Sequence, residues 1–387
     1  MQKEPFEVSV SDEVLTDLNN RLVNYRWPKD FANDQWQFGT NADYLQELVD
    51  HWINHYDWRT HEKQINSFSH FKTEIDEIPI HFIHEPGKGP NPIPIILNHG
   101  WPWTFWDFNK VIGPLSDPAA FGGDPADAFD VIVPALPGYG FSSPLTKAGI
   151  NYSVTADMWI TLMRDVLGYD KFAVHGGDWG ALVGSQLGHK YPQHLIGLHL
   201  SIMVPLDLFE KGLPDESEFA PDERHKFETN TNFFLHEDGY FKIQATKPQT
   251  VAYGLNDSPV GLCAWILEKR RTWGDCNGDV ESRFSKDELI TTMMIYWITE
   301  TFGTSARYYY EAAHRLWQPE HDRTPVVEAP TAIACFPKEV IQMPKAWAER
   351  YYNLQRWTPM PSGGHFAPME EPQALIEDVR SFFRGLR

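Results

Sequence analysis

The first 69 residues carry the apolar spacing of amphipathic helices. Ser11 can cap a first helix whose opening turn holds Asp12 and Glu13. The apolar positions of this segment and of a second, stronger one are Leu15, Leu18 and Leu22, then Leu45, Leu48, Val49, Trp52, Ile53 and Tyr56. Because this spacing places them on one helix face, we predict an N-terminal helical extension over residues 1–69.

From residue 70 onward, short apolar segments alternate with helical patterns. The segment 93–97 is apolar almost throughout, as expected of a buried parallel strand. The other predicted strands cover residues 71–75, 78–83, 130–136, 172–175, 195–200 and 331–336, and predicted helices cover 155–163 and 372–383. The alternation predicts an α/β fold with a mostly parallel, doubly wound sheet.

Between residues 207 and 322 this alternation stops. The segment is rich in aromatic and charged residues and has helical patterns over 262–269 and 289–297. Such an interruption is typical of a helical cap inserted into a hydrolase. We therefore divide the core into a first part, 70–206, and a second part, 323–387, with a cap over 207–322 between them.

The composition is that of an acidic soluble enzyme. The chain has 387 residues, 42% of them apolar and 22% charged, which suits one large domain with an insertion, or two domains. A formal net charge of −20 argues against nucleic acid and anionic membranes as partners, because both bind basic patches. The aromatic content of 14%, with 15 tryptophans, provides apolar surfaces that can line a pocket.

Cysteine usage and the N-terminus bear on the compartment. Cys263, Cys276 and Cys335 are too few and too scattered for a disulfide framework or a zinc site, which predicts three free thiols. His51 and His55 lack the glutamate of a zinc-protease motif and are interpreted as a solvent-exposed pair. Neither pattern therefore predicts a metal site. The chain has no secretory signal pattern and no apolar run long enough to span a bilayer, so we expect a cytoplasmic protein.

Asp178 stands at the tip of a glycine-flanked turn between a predicted strand and a predicted helix. Gly176 and Gly180 allow the tight strand-to-helix turn that carries the nucleophile of an α/β-hydrolase. A carboxylate is ionised at neutral pH and can attack alkyl carbon without a base, which leaves an alkyl ester on the enzyme. The alternative is a surface turn, since Gly-Asp pairs are common in turns.

A candidate histidine and acid follow in the chain order of this fold, nucleophile, acid, histidine. His365 lies in a glycine loop before the last helix, and Glu339 lies just after the preceding strand, where it can orient the imidazole. Glu370 and Glu371 are closer to His365 in sequence. We interpret them as favourable charges at the N-terminus of the last helix.

A third element can stabilise charge on the aspartate. The segment 98–102 follows an apolar strand, and its glycine and proline can direct the backbone N–H of Trp101 toward the Asp178 carbonyl. The backbone N–H of Trp179, one residue after the nucleophile, is the predicted second donor.

Together these motifs resemble the α/β-hydrolase-fold epoxide hydrolases, in the branch with an N-terminal extension that includes the microsomal and juvenile hormone enzymes. The resemblance covers nearly the whole chain. It is carried by residues 5–8, 56–59, 99–102, 176–180 and 363–367, and in the cap by 246–248 and 255–262. It implies an enzyme that needs no cofactor and that converts a small apolar epoxide and water to a vicinal diol.

The family has two cap tyrosines that hold the epoxide oxygen, and their motifs match Tyr240 and Tyr309. Unaided ring opening would expel an alkoxide, so a phenol that donates a hydrogen bond or proton assists it. Tyr308, Tyr309 and Tyr310 would point in three directions on a helix, and the choice of Tyr309 follows from the resemblance. The alternative role for these tyrosines is aromatic packing inside the cap.

Two departures from the family affect these expectations. The membrane anchor of the microsomal relatives is absent, which implies a soluble enzyme. Trp103 and Thr104 follow the oxyanion proline where Gly and Ser are frequent in relatives, which predicts an altered pocket wall.

The hypothesis is an epoxide hydrolase in which Asp178 forms the ester and His365, oriented by Glu339, activates water. One alternative is a haloalkane dehalogenase that uses the same aspartate, and another is a non-catalytic hydrolase-fold receptor for small apolar ligands. A GxSxG esterase is excluded because the chain contains no such pentapeptide. The sequence leaves the oligomeric state open, with a homodimer as one alternative.

Overall fold

A mixed sheet forms the centre of the molecule in a computed structural model that describes residues 2–387. Within these residues, its nine strands are β1 (Glu4–Phe6), β2 (His70–Ile75), β3 (Ile78–Glu85), β4 (Ile93–Asn98), β5 (Phe129–Pro134), β6 (Phe172–Gly176), β7 (Leu195–Leu200), β8 (Val327–Cys335) and β9 (Tyr352–Pro359). Their spatial order is β1-β2-β3-β5-β4-β6-β7-β8-β9.

Most of the sheet is parallel, as predicted. The strands from β5 to β9 in the spatial order pair in parallel, whereas β1, β2 and β3 form antiparallel pairs at one edge. In the centre, β4 and β6 are buried throughout most of their length, because helices cover the sheet. Their register pairs Asn98 with Gly176, so the loops that follow β4 and β6 lie side by side.

Two strands have no counterpart in the sequence analysis. β1 lies in the extension that the pattern predicts to be helical, and it pairs with β2 at the edge of the sheet. It has only three residues, too few to show an alternation. β9 is the opposite edge strand and is only half-buried, so its apolar pattern is weak.

Among residues 2–387, six α-helices lie in the extension and in the first part of the core, and the sequence analysis predicts four of them but not the two over Trp58–Ile65 and Asn109–Ser116. The six are α1 (Asp12–Val23), α2 (Ala42–Asn54), α3 (Trp58–Ile65), α4 (Asn109–Ser116), α5 (Tyr152–Ile160) and α6 (Trp179–Lys190). The side chain of Ser11 accepts a hydrogen bond from the Val14 backbone N–H, which confirms the predicted cap of α1.

Seven helices form the cap, and three complete the core. The cap helices are α7 (Leu208–Lys211), α8 (Arg224–His236), α9 (Gly239–Thr246), α10 (Pro248–Asp257), α11 (Pro259–Trp273), α12 (Lys286–Ile298) and α13 (Phe302–His314). The others are α14 (Lys345–Tyr351), α15 (Ala367–Glu370) and α16 (Pro372–Arg384). Within residues 2–387, none of the helices combines the length and apolar character needed to cross a bilayer.

The extension is attached to the cap by side-chain contacts. His51 Nε2 lies 2.7 Å from Asp287 Oδ1, and the hydroxyl groups of Tyr56 and Thr291 are 3.0 Å apart. The prediction of a solvent-exposed histidine pair is therefore wrong for His51, which is half-buried against α12 because the tertiary fold brings a carboxylate to it.

Two pairs of buried histidines lie within the sheet. His70 Nδ1 and His81 Nε2 are 2.8 Å apart, and His175 Nδ1 and His199 Nδ1 are 3.0 Å apart. Burial, together with the neighbouring histidine in each pair, lowers the pKa of His81 and His175 well below the ordinary value. Both are therefore neutral in the folded protein at mildly acid pH, where they would take up protons on unfolding.

We expect the free energy of unfolding to fall as the pH drops below about 6.5, since the unfolded chain then binds protons that His81 and His175 cannot bind when folded. Each such proton contributes about 1.4 kcal/mol per pH unit. In urea titrations between pH 5 and 7, His81→Gln should lower this slope by about that amount. An equal pH dependence of the free energy of unfolding in His81→Gln and in the unmodified protein would contradict the assignment.

Candidate active site

Asp178 occupies a strained position between β6 and α6. Its backbone has φ 50° and ψ −124°, a conformation that non-glycine residues rarely adopt. The turn is tight because α6 packs directly on the loop after β4: a Cβ at Gly180 would lie 2.1 Å from the backbone oxygen of Asn98. The structure therefore places Asp178 on the nucleophile turn that the glycine spacing predicts.

The loop after β4 holds the Asp178 carboxylate from one side. The backbone N–H of Trp101 donates a hydrogen bond of 2.8 Å to Asp178 Oδ1. A Cβ at Gly100 would lie 2.2 Å from the same oxygen, so only glycine permits this approach. Trp179 is the first residue of α6, where the helix leaves backbone N–H groups unpaired. Its role as second donor stays a prediction.

His365 bridges the two carboxylates predicted for it. Its Nε2 lies 3.3 Å from Asp178 Oδ2, and its Nδ1 lies 2.6 Å from Glu339 Oε1. Glu339 reaches this position because the loop after β8 runs beside the His365 loop, where Lys338 bridges to Gly364. All three side chains come from loops at the carboxyl ends of parallel strands, where ligands of open α/β sheets bind.

The charge of the two carboxylates controls the protonation of His365. Burial lowers the pKa of this imidazole, but the charge of Glu339 and the contact with Asp178 outweigh it and raise the pKa to about 10. With Asp178 ionised, His365 is therefore a buried imidazolium at neutral pH.

Both predicted tyrosines line the cavity from the cap. Tyr240 on α9 and Tyr309 on α13 line the same cavity as Asp178, and their rings are nearly perpendicular with centroids 5.8 Å apart. The ring of Trp101 stacks on that of Tyr240 at 5.1 Å, and the ring of Trp179 meets that of Tyr309 edge-on at 4.6 Å.

The structure also distinguishes Tyr309 from its neighbours. The hydroxyl of Tyr308 lies 2.7 Å from Thr155 Oγ1, and Tyr310 is exposed and stacks on His314. Burial and then the Asp178 charge raise the pKa of Tyr240, and burial followed by Tyr240 and Asp178 raises that of Tyr309. Both therefore remain phenols that can donate a hydrogen bond or a proton.

The two tyrosines, Asp178 and His365 line one apolar cavity of about 290 Å³. Beside these groups, its lining includes Leu182, Ile202, Val204, Phe209, Phe241 and Ile341. A larger groove of about 740 Å³ between α1, α10 and α13 contains none of the predicted site residues. The smaller cavity is therefore the candidate active site, because the titratable groups converge there.

Glu370 has a different role from the one predicted. It is buried at the end of α15, and its carboxylate accepts hydrogen bonds from the backbone N–H groups of Asp275, Gly364 and Phe366, at 2.7, 3.0 and 2.8 Å. It therefore holds the loop around His365 and does not lie in the opening turn of α16. The sequence signal for this role is the short distance in sequence between Glu370 and the glycine loop that carries His365, which the sequence analysis did not use.

The sequence analysis also did not identify Trp273 as a residue of the site. Its backbone oxygen accepts a hydrogen bond of 3.0 Å from the His365 backbone N–H, and its ring lies edge-on to the imidazole at 5.3 Å.

Trp103 packs behind His365, with ring centroids 5.6 Å apart, and, within residues 2–387, is not among the lining residues of the cavity. The predicted change of the pocket wall at Trp103 is therefore wrong, because its side chain fills the core. The Thr104 side chain caps a short 3₁₀ turn.

Comparisons with known proteins identify the family of this chain. A family model described as epoxide hydrolase N terminus matches residues 3–108, and one described as alpha/beta hydrolase fold matches residues 93–231. Epoxide hydrolase 1 of Sus scrofa is 37% identical over 399 residues, which cover 98% of this chain and 88% of that protein. The chain belongs to the epoxide hydrolases.

Solved structures agree with this assignment. The Aspergillus niger epoxide hydrolase superposes on this epoxide hydrolase with a TM-score of 0.87 at 27% identity, covering 100% of this chain and 97% of that chain. Juvenile hormone epoxide hydrolase from the silkworm Bombyx mori gives a TM-score of 0.86 at 30% identity, covering 100% and 95%. The resemblance to the branch with an N-terminal extension is thus confirmed, together with its α/β-hydrolase fold.

Gly180→Ala should destabilise the protein by about 3 kcal/mol, because the new Cβ would collide with the Asn98 backbone oxygen. Gly254→Ala in α10 is a matched control: its Cβ would have no atom within 4 Å, so helix propensity should stabilise the protein by up to about 1 kcal/mol. Urea titrations of both variants measure the difference. Equal stability of the two variants would contradict the close packing of the turn.

Proposed function

We propose that this protein hydrolyses a small apolar epoxide to a vicinal diol through an ester on Asp178. The observation that supports this most directly is that one cavity is lined by an imidazole-bound carboxylate and by two buried phenols. A nucleophile and acids around one apolar space suit a reaction that breaks a carbon–oxygen bond while a carboxylate attacks the carbon.

In the first step, Asp178 Oδ2 attacks the less hindered carbon of the epoxide. A carbon–oxygen bond to Asp178 forms as the ring carbon–oxygen bond breaks, and the electron pair passes to the epoxide oxygen. Tyr240 and Tyr309 donate hydrogen bonds to that oxygen, which takes a proton from one of them. The Trp101 N–H keeps Asp178 Oδ1 in place as the carbonyl oxygen of the new ester.

In the second step, His365 activates water to hydrolyse the ester. Ester formation removes the Asp178 charge, so one of the two anions that raise the pKa of His365 is lost and its pKa falls. The imidazolium passes its proton through solvent to the phenolate left by the first step. The neutral imidazole then takes a proton from water, whose oxygen bonds to the ester carbonyl carbon, and Glu339 stabilises the imidazolium.

The N–H groups of Trp101 and Trp179 stabilise the negative charge on Oδ1 of the resulting intermediate. As this intermediate collapses, the bond from the carbonyl carbon to the substrate oxygen breaks, and the alkoxide takes the proton of the new carboxyl group. The diol then leaves Asp178 as a carboxylate beside the His365 imidazolium.

The first experiment is a single turnover of styrene oxide by excess enzyme in ¹⁸O-water. The ester mechanism predicts unlabelled diol from the first turnover and label that later enters the Asp178 peptide. Labelled diol from the first turnover would show direct attack by water. Halide release from chloroalkanes without diol formation from any epoxide would favour a dehalogenase instead, and ligand-induced thermal stabilisation without turnover would favour a receptor.

Tyr240→Phe and Tyr309→Phe should each slow ester formation by about 10²-fold, because each removes one donor to the epoxide oxygen. Stopped-flow tryptophan fluorescence at single turnover can measure this step, since Trp101 and Trp179 adjoin the tyrosines. Tyr310→Phe is the matched control on α13, and its exposed hydroxyl should be dispensable. Equal rates for all three variants would remove the tyrosines from the mechanism.

The rate of ester hydrolysis should rise with pH and level off at an apparent pKa below the value of about 10 that His365 has in the free enzyme, since the ester lacks the Asp178 charge. Glu339→Gln should lower this rate by roughly 10²- to 10⁴-fold and move the inflection to lower pH. Glu377→Gln on the exposed face of α16 serves as control. A hydrolysis rate independent of pH between 6 and 9.5 would contradict the role of His365.

A further inference from the structure

A buried lysine lies over the ring of one catalytic tyrosine. Lys269 on α11 is only 5% exposed, and its Nζ lies 5.2 Å from the ring centroid of Tyr240 and 5.7 Å from that of Trp273. Its ammonium forms an ion pair with Glu268 at 2.6 Å, and its charge also acts on Glu237. Burying a cation is costly, so its contacts with aromatic rings and carboxylates require an explanation.

We propose that Lys269 is a positioning residue that acts through Tyr240 to stabilise the negative charge formed when the epoxide ring opens. This inference rests on the proposed function. Before attack, the negative charge lies on the Asp178 carboxylate; afterwards, Asp178 is a neutral ester and the charge has moved to the epoxide oxygen. When the phenol protonates that oxygen, the charge resides on the phenolate, beneath the ammonium of Lys269.

Tyr240 and Tyr309 differ in their contacts and in the groups that shift their pKa values. Burial raises the pKa of both, and the carboxylates of Asp178, Asp238 and Glu237 also raise that of Tyr240. The interaction of the two hydroxyl groups, in contrast, lowers the pKa of Tyr240 and raises that of Tyr309. The Tyr240 ring is held by parallel stacking on Trp101, whose backbone N–H binds Asp178, and Lys269 lies over this ring. We therefore assign the proton transfer to Tyr240 and a hydrogen bond to Tyr309.

The test compares Lys269→Met, Lys269→Arg and the exposed control Lys247→Met in single-turnover stopped-flow measurements with styrene oxide. Because Lys269→Met removes a desolvated cation over an aromatic ring, it should slow ester formation by about ten- to thirtyfold. The rate of ester hydrolysis should stay within about twofold of that of the unmodified enzyme. Lys269→Arg should recover most of the rate, and Lys247→Met should match the unmodified enzyme. Thermal unfolding checks that each variant folds; if Lys269→Met does not, Lys269→Gln carries the same expectations.

A double-mutant cycle separates this role from a structural one. In the Tyr240→Phe background, Lys269→Met should change ester formation by less than about twofold, because the phenol through which the lysine acts is gone. The same loss in both backgrounds, an equal loss in both reaction steps, or an unchanged rate would overturn the proposal. Failure of the unmodified enzyme to form an ester with any epoxide would instead overturn the proposed function.

Discussion

The strained backbone of Asp178 is the constraint on which the rest of the site depends. A non-glycine residue in this region of φ/ψ space persists only where the surroundings impose it, and here the N-terminus of α6 lies against the loop after β4. The contact of Gly180 with the Asn98 backbone sets the distance between α6 and the loop after β4. The same contact brings the Trp101 backbone N–H to the carboxylate, so one packing arrangement positions both Asp178 and its hydrogen-bond donor.

Electrostatic balance is the second requirement of the site. The carboxylates of Asp178 and Glu339 flank the buried imidazole of His365. This arrangement is favourable only while the imidazole is charged. In the proposed mechanism, alkylation of Asp178 removes one of these anions, so the pKa of His365 falls and the imidazole can act as a base in the next step.

The cap provides the other half of the cavity. Tyr240 and Tyr309 stand on helices that pack on one another, and their rings pack on the aromatic residues of the core loops. The extension, described from residue 2 onward, contributes no residue to the cavity lining and contacts the cap through His51 and Tyr56, whose partners Asp287 and Thr291 lie on α12.

The sequence by itself determined seven of the nine strands within residues 2–387 and selected Asp178, His365 and Glu339 as candidates, because apolar periodicity and turn glycines are local signals; the structure brings these three side chains together. Only the tertiary structure decided which of three adjacent tyrosines faces the cavity, and that Glu370 holds the His365 loop. It also added β1 and β9, whose residues become strands by pairing with distant neighbours. Such choices depend on contacts between segments far apart in the chain, which no local pattern records.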